Sequence, residues 1–158
     1  MEYGDWEAAE GLDDPITKRV IGCAISVHRK LGPGLLESAY QVCLAHELKK
    51  AGIRFERELP LAVLYDGVRL DCGYRLDFLV EDSVVLEIKC VDAVLDVHLA
   101  QLLTYLKLSG KQRGLILNFN VVLLKDGIYR RVLTAEGSSR STRLSNTILH
   151  SASSATLR

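Results

Sequence analysis

The stretch Arg75–Lys89, "RLDFLVEDSVVLEIK", sets two acids and a lysine, Asp77, Glu87 and Lys89, inside what otherwise reads as a buried apolar hairpin. "RLDFLV" and "VVLEIK" are short aliphatic-rich runs, and Glu81-Asp82-Ser83 makes a three-residue turn between them. Side chains alternate faces along a strand, so Glu87 and Lys89 share one face while Leu86 and Ile88 take the other. With Val80 facing Val84, the register runs back to put Asp77 directly opposite Glu87. Two carboxylates so placed repel unless something positive lies between them. Lys89 is one candidate. A divalent cation is a better one, because paired carboxylates suit Mg²⁺, which completes its octahedron with water and phosphate. Such an ion activates water and stabilises charge on a phosphodiester, and a nearby lysine holds the attacking water. The plainer reading is a solvent-facing stripe of alternating charge, which is ordinary on an antiparallel sheet.

Working outward, the chain of 158 residues is 48% hydrophobic and 25% charged, enough for one domain with a single sizeable core. Its formal net charge of zero gives no global field toward nucleic acid or anionic membrane, so any such contact is local. Cys23, Cys43, Cys72 and Cys90 are widely spaced among apolar neighbours and read as reduced core thiols. The acidic start lacks the regions of a signal peptide, and no apolar run is long enough to span a bilayer. A cytoplasmic protein without a membrane partner is expected.

Residues 1–13 read as an acidic mobile leader. "DDPITKRVIGCAISVHRKLG" predicts a helix with Asp14 as N-cap and Pro15 at its first position, stopping at Gly32-Pro33-Gly34. A second helix follows through Leu36, Tyr40, Leu44 and Leu48 to Gly52. From Ile53 the pattern turns to β-type runs, with Asp66-Gly67 as a hairpin turn between "LAVLY" and "VRL", and Gly73 as a further break. "HLAQLLTYLKLSG" predicts a third helix ending at Gly110, and "RGLILNFN" and "GIYRRVL" two last strands. The predicted order is α-α-β-β-β-β-α-β-β, an α/β (α+β) layer fold over residues 14–133. Residues 134–158 are Ser/Thr-rich and read as a disordered tail.

The segment "VHRKLGPGLLESAYQ" carries Gly34, Glu37 and Tyr40 in the spacing G-x-x-E-x-x-Y, preceded by His28. Together with "YRLDFLVEDSVVLEIK", "HLAQLLTYLKLSG" and "GLILNFN" in that order, it resembles the GxxExxY protein family, placed in the PD-(D/E)XK nuclease superfamily. The resemblance spans about residues 14 to 133. It implies a restriction-endonuclease-like core, a central mixed β-sheet flanked by helices, in a nuclease that uses Mg²⁺ (or Mn²⁺) to cleave DNA or RNA. Asp77 matches the motif aspartate, Glu87 the second acid and Lys89 the motif lysine. Glu37 matches a helical glutamate that many superfamily members add to the metal shell, making Asp77, Glu87 and Glu37 the expected metal ligands. Gln101 falls where members often place a polar residue on the helix after the motif strand, with Tyr105 its i+4 neighbour.

The accessory candidates are read from the residues. His28 stands one turn before the glycine turn, placed to orient Glu37 or a water, or else to pack. His98 opens the third helix, as a cap or a phosphate contact. Tyr40 is expected to pack with its hydroxyl bonded, and Gly34 to supply a backbone conformation for the turn. Arg54, Arg57, Lys107, Lys111, Arg113, Arg130 and Arg131 form either a phosphate-binding rim or a solvated surface. Two rivals to the nuclease reading stay open: a non-catalytic nucleic-acid-binding module retaining the fold, and a protein-interaction or assembly subunit. Exposed edge strands leave room for a homodimer.

Overall fold

Asp14 opens the first helix by accepting the Ile16 and Thr17 amide hydrogens at 3.3 and 3.4 Å, and Pro15 follows at the first helical position. The computed structural model describes residues 14–133 and 139–143. Helix α1 (Pro15–Leu31) ends where Gly32 takes φ 64° and donates its N–H to the His28 carbonyl at 2.8 Å. Helix α2 (Glu37–Lys50) starts five residues later and packs against α1. Three strands come next: β1 (Phe55–Tyr65), β2 (Val68–Val80) and β3 (Val84–Lys89). Helix α3 (Asp96–Ser109) then crosses over to β4 (Arg113–Asn118), which lies parallel to β3 as such a crossover permits. A 3-10 turn at Leu124–Gly127 leads into β5 (Ile128–Leu133), and β6 (Ser139–Arg143) pairs with it.

The described strands form one sheet in the order β1-β2-β3-β4-β5-β6, antiparallel except at β3–β4. This is the expected mixed sheet with helices on both faces, an α/β fold of the restriction-endonuclease-like kind. One core lies beneath α1 and α2, where Val20, Ile21, Leu44 and Leu48 meet Phe78, Leu86, Ile88 and Leu117. The other lies beneath α3, where Leu102 and Leu106 meet Leu79, Val85 and Ile116. Because β3 is covered on both faces, its residues from Val84 to Ile88 are all buried, so Glu87 cannot belong to a solvated stripe.

Three expectations are corrected. "VRL" and "YRLDFLV" are one strand, not two, so three strands and not four precede α3. The apparent break at Gly73 is a bulge: Leu61 pairs with Tyr74 but Ala62 with Asp71, leaving Cys72 and Gly73 without a rung. Gly73 there adopts φ 76° and donates its N–H to the Asp71 carboxylate at 3.0 Å. The reading of four core thiols fails at Cys72, which is exposed, because the β1–β2 hairpin outruns the third strand that would flank it. β6 also differs from the tail reading: it lies within 134–158 and pairs antiparallel with the backbone edge of β5. The acidic leader and the rest of the tail lie outside the described residues.

Two glycines report on packing in opposite directions. A Cβ on Gly127 would run into the Asn118 carbonyl oxygen, whereas one on Gly22, inside α1, meets nothing within 4 Å. Gly127→Ala is expected to lose about 2 kcal/mol or more of stability in urea denaturation. Gly22→Ala is expected to gain roughly 0.5 to 1 kcal/mol. Wild-type stability in Gly127→Ala would show that the 3-10 turn does not seal against the end of β4.

Candidate active site

Strand β2 is interrupted on both sides at one residue, Asp77. On the β1 side the ladder runs through Arg57↔Phe78 and Leu59↔Leu76 with no rung at Asp77, and Glu58, facing the gap, has φ 52°. On the β3 side it runs Val80↔Val84, Leu79↔Val85, Phe78↔Leu86 and stops. Residues two apart in a regular strand share a face. Here Phe78 packs under α1 and α2 while Leu76 packs under α3, so β2 changes face at Asp77. The aspartate side chain enters the gap and accepts the Ile88 N–H at 2.8 Å, while the Asp77 N–H approaches Glu87 Oε1 at a long 3.5 Å. Asp77 and Glu87 therefore meet as the register predicts, but through an inserted carboxylate and not a regular rung. Local irregularity of this kind concentrates at functional sites.

The surroundings penalise negative charge at this point. Glu87 is 5% exposed. Burial, and then the Asp77 charge, push its carboxyl from an ordinary 4.5 up to about 8, with Lys89 pulling the other way. Asp77 is also raised by burial, offset by the Ile88 N–H and Lys89. Glu37 is raised by burial and by Asp77, and Lys89 again opposes the shift. Cys90 is pushed to about 11, first by burial and second by Glu37. Burial and then Glu87 raise the Tyr105 phenol. These mutual influences gather Glu37, Asp77, Glu87, Lys89, Cys90 and Tyr105 about one centre.

Glu37 reaches that centre from α2 because of the turn before it. Gly34 has φ 101°, a conformation that favours glycine, and Glu37 is the first residue of the helix, where the positive end of the dipole favours an acid. Tyr40, fully buried, ties the turn down: its hydroxyl donates to the Gly32 carbonyl and accepts the Leu35 N–H at 3.2 Å. Its ring stacks on Phe119 at 4.5 Å, just past the end of β4. His28 Nε2 pairs with the Val121 carbonyl at 2.8 Å, and its ring tilts against the same Phe119. Both His28 and Tyr40 thus clamp the glycine turn to the loop after β4, and neither touches a carboxylate of the group. The orienting contact between His28 and Glu37 is not present; a nearly buried imidazole has been spent on a backbone carbonyl.

Helix α3 supplies the remaining expected residues. Gln101 donates to the Tyr105 hydroxyl at 2.8 Å, so the pair acts as a unit whose phenol faces Glu87 electrostatically. His98 takes the capping alternative, with Nδ1 accepting the Leu95 N–H at 3.0 Å. Asn118, not singled out by the sequence, is 2% exposed and holds Val91 in a two-bond clasp, accepting its N–H at 3.1 Å and donating to its carbonyl at 2.9 Å. With the Phe119 N–H donated to the Lys89 carbonyl at 2.9 Å, this fixes the backbone on the C-terminal side of the lysine. An amide residue at the end of a strand parallel to the lysine strand is the signal that finds it. A cavity of about 470 Å³ lies beyond Asn118, lined by Asp92, Asp96, Asp126, Tyr129 and Arg131 among others, and none of the four central charged residues borders it.

Three of the seven residues of the basic rim are engaged elsewhere. Arg54 pairs with Glu81 at 3.0 Å, Lys111 with Asp82 at 2.8 Å and Arg113 with Asp14 at 2.9 Å. Among the described residues no three His, Cys, Asp or Glu side chains, the expected Asp77, Glu87 and Glu37 included, are grouped so as to hold a metal ion, and no helix is long and apolar enough to cross a membrane.

The raised Glu87 carboxyl fixes a pH dependence. The folded protein keeps a proton that the unfolded chain releases above its ordinary value near 4.5. The resulting stabilisation is whole below that pH and is lost as pH rises toward 8, by at most about 1.4 kcal/mol per unit. In metal-free buffer, the stability of wild type relative to Glu87→Gln is therefore expected to fall between pH 5 and 8 by urea denaturation, whereas parallel profiles would remove the shift.

Comparison with known families identifies the superfamily. A family model described as the PD-(D/E)XK nuclease superfamily matches residues 14–132. No curated protein and no solved structure matches the chain. The superfamily is one of nucleases, which typically use divalent metals, and its members' substrate is nucleic acid. With three quarters of its length matched and a mixed sheet whose second strand breaks at an aspartate, the chain belongs to the PD-(D/E)XK nuclease superfamily.

Proposed function

We propose that the protein is a Mg²⁺- or Mn²⁺-dependent nuclease of the GxxExxY kind that hydrolyses phosphodiester bonds in DNA. One observation carries the reading: Asp77 interrupts two strand ladders to bring its carboxylate against buried Glu87, with Lys89 as the cation of the group. The donor set fits a hard divalent ion. All the donors are oxygens, and two carboxylates are the number that Mg²⁺ takes from a protein before water and phosphate fill its remaining positions. When bound, such an ion lowers the pKa of a water and draws charge from the phosphoryl oxygens.

The chain's own residues have separate parts. Asp77 and Glu87 would hold the ion, and the Ile88 N–H keeps the Asp77 carboxylate oriented. Glu37, at the start of α2, adds a third carboxylate within the field of Asp77 and Lys89, suited to accept a proton from an attacking water. Lys89 stands at the end of β3, where its ammonium positions that water or meets charge building on the phosphate. Gln101, braced by Tyr105, offers an amide to the substrate backbone.

Asp77→Ala and Lys89→Ala are each expected to lose cleavage of a DNA duplex in Mg²⁺ or Mn²⁺ by a hundredfold or more while retaining a cooperative unfolding transition. Calorimetric titration should show Mg²⁺ binding in wild type that Asp77→Ala removes. Cleavage that persists in both variants would sink the proposal. Salt-sensitive DNA binding without cleavage in any divalent metal would favour a binding module that keeps the fold, and cleavage confined to RNA would move the substrate.

A further inference from the structure

Arg57 lies on β1 at the edge of the break, paired in register with Phe78, the residue after Asp77. Its guanidinium sits over the Phe78 ring, 5.4 Å from the centroid, so the stem and one face of the cation are spent on packing. Arg57 Nε is sealed from water with no hydrogen-bond partner. Among the described residues the terminal nitrogens are neither sealed nor hydrogen-bonded, and no carboxylate forms an ion pair with Arg57. Arg54, Lys111 and Arg113, by contrast, each hold an acid at 3.0 Å or less. Arg130 also has a sealed Nε, but it lies on β5, across β3 and β4 from Asp77, with Asp14 and Arg113 as its charged neighbours.

A guanidinium held by an aromatic ring, with its fork uncommitted, is pre-organised for an oxyanion, because little side-chain freedom remains to be lost on binding. The anion in reach is fixed by location, since Arg57 is near enough for its charge to favour ionised Asp77. We infer that Arg57 is a substrate-binding residue that grips a backbone phosphate of DNA beside the Asp77–Glu87 pair, on the β1 side of the break. The inference rests on the nuclease reading for its substrate and deepens it: the strand enters along β1, with one phosphate at Arg57 when the scissile phosphate is at Asp77. The contact is to the backbone, so it is independent of base sequence.

The test uses the full chain and Arg57→Met, which keeps an apolar stem on Phe78 and removes the charge. The probe is a fluorescein-labelled DNA duplex of random sequence, titrated in Mg²⁺ at several salt concentrations, with the cleavage rate measured in parallel. Arg57→Met is expected to unfold within a few degrees of wild type and to bind Mg²⁺ undiminished. Its DNA affinity should fall about tenfold, and the slope of log affinity against log salt should shrink by about 1, one phosphate's worth. Arg57→Lys should recover part of the affinity. Unchanged affinity and salt slope in Arg57→Met overturn the inference, as does the absence of salt-sensitive binding in wild type. Wild type that binds but does not cleave would end the nuclease reading, and Arg57 would still stand or fall on the salt slope, so the two failures are distinct.

Discussion

One hydrogen bond organises the site: the Ile88 N–H to the Asp77 carboxylate, at 2.8 Å. A backbone N–H in the middle of a buried sheet must find an acceptor, and ordinarily the neighbouring strand supplies a carbonyl. At this rung the β2–β3 ladder has stopped, and a side chain supplies the acceptor. The exchange satisfies the amide and anchors a carboxylate at sheet level, but it makes that carboxylate the neighbour of Glu87. The sheet thereby sets two carboxyls together in a place from which water is largely excluded, and the proton kept on Glu87 relieves their repulsion. The strand regains regularity on either side because Phe78 and Leu76 are buried under opposite layers, which holds the change of face in place.

The helices matter to function through that same rung. Helix α2 is aimed by the glycine turn, and the turn is held by Tyr40 and His28 against Phe119 and Val121. Those contacts lie at the end of β4, which is also where Asn118 clasps Val91 and where the Phe119 N–H meets the Lys89 carbonyl. One short segment after β4 thus positions both Glu37 and Lys89, although it carries no charge of the group itself. Changes at Phe119 or Asn118 act on the site by displacing these two residues together.

Much of this was legible in the sequence. Asp14-Pro15, Gly32 and Gly110 marked helix ends because caps and left-handed glycines are local chemistry. Asp66-Gly67 marked the hairpin for the same reason. The facing of Asp77 and Glu87 followed from counting back along the ladder from the Glu81-Asp82 turn, whose two residues both adopt positive φ. What was hidden is non-local. Gly73 reads as a strand end, and only the pairing of Leu61 with Tyr74 shows that the strand bulges and continues. His28 and Tyr40 have the residue types of catalysis, yet their hydrogen bonds go to backbone partners set by the packing of α1 and α2, one of them 93 residues away. Asn118 stays unmarked in the sequence because an amide at a strand end carries no signal until a parallel neighbour lies beside it.

The resting charge of the site follows from the same constraint. Glu37, Asp77 and Glu87 carry three negative charges when ionised, against Lys89 within the group and Arg57 at its edge, and all three carboxyls are raised, burial being the first cause in each. A sheet meant only to be stable would replace such a group with apolar residues, since an uncompensated buried charge costs more than the packing it displaces. Its retention around a strand covered on both faces is accounted for if the missing positive charge arrives from outside. That charge and the phosphate it escorts would have to enter together. A cation alone leaves the coordination to water, and a phosphate alone meets three carboxylates. The cation on the β1 side of the break, Arg57, is then the feature that lets the substrate approach from a direction other than that of the acids.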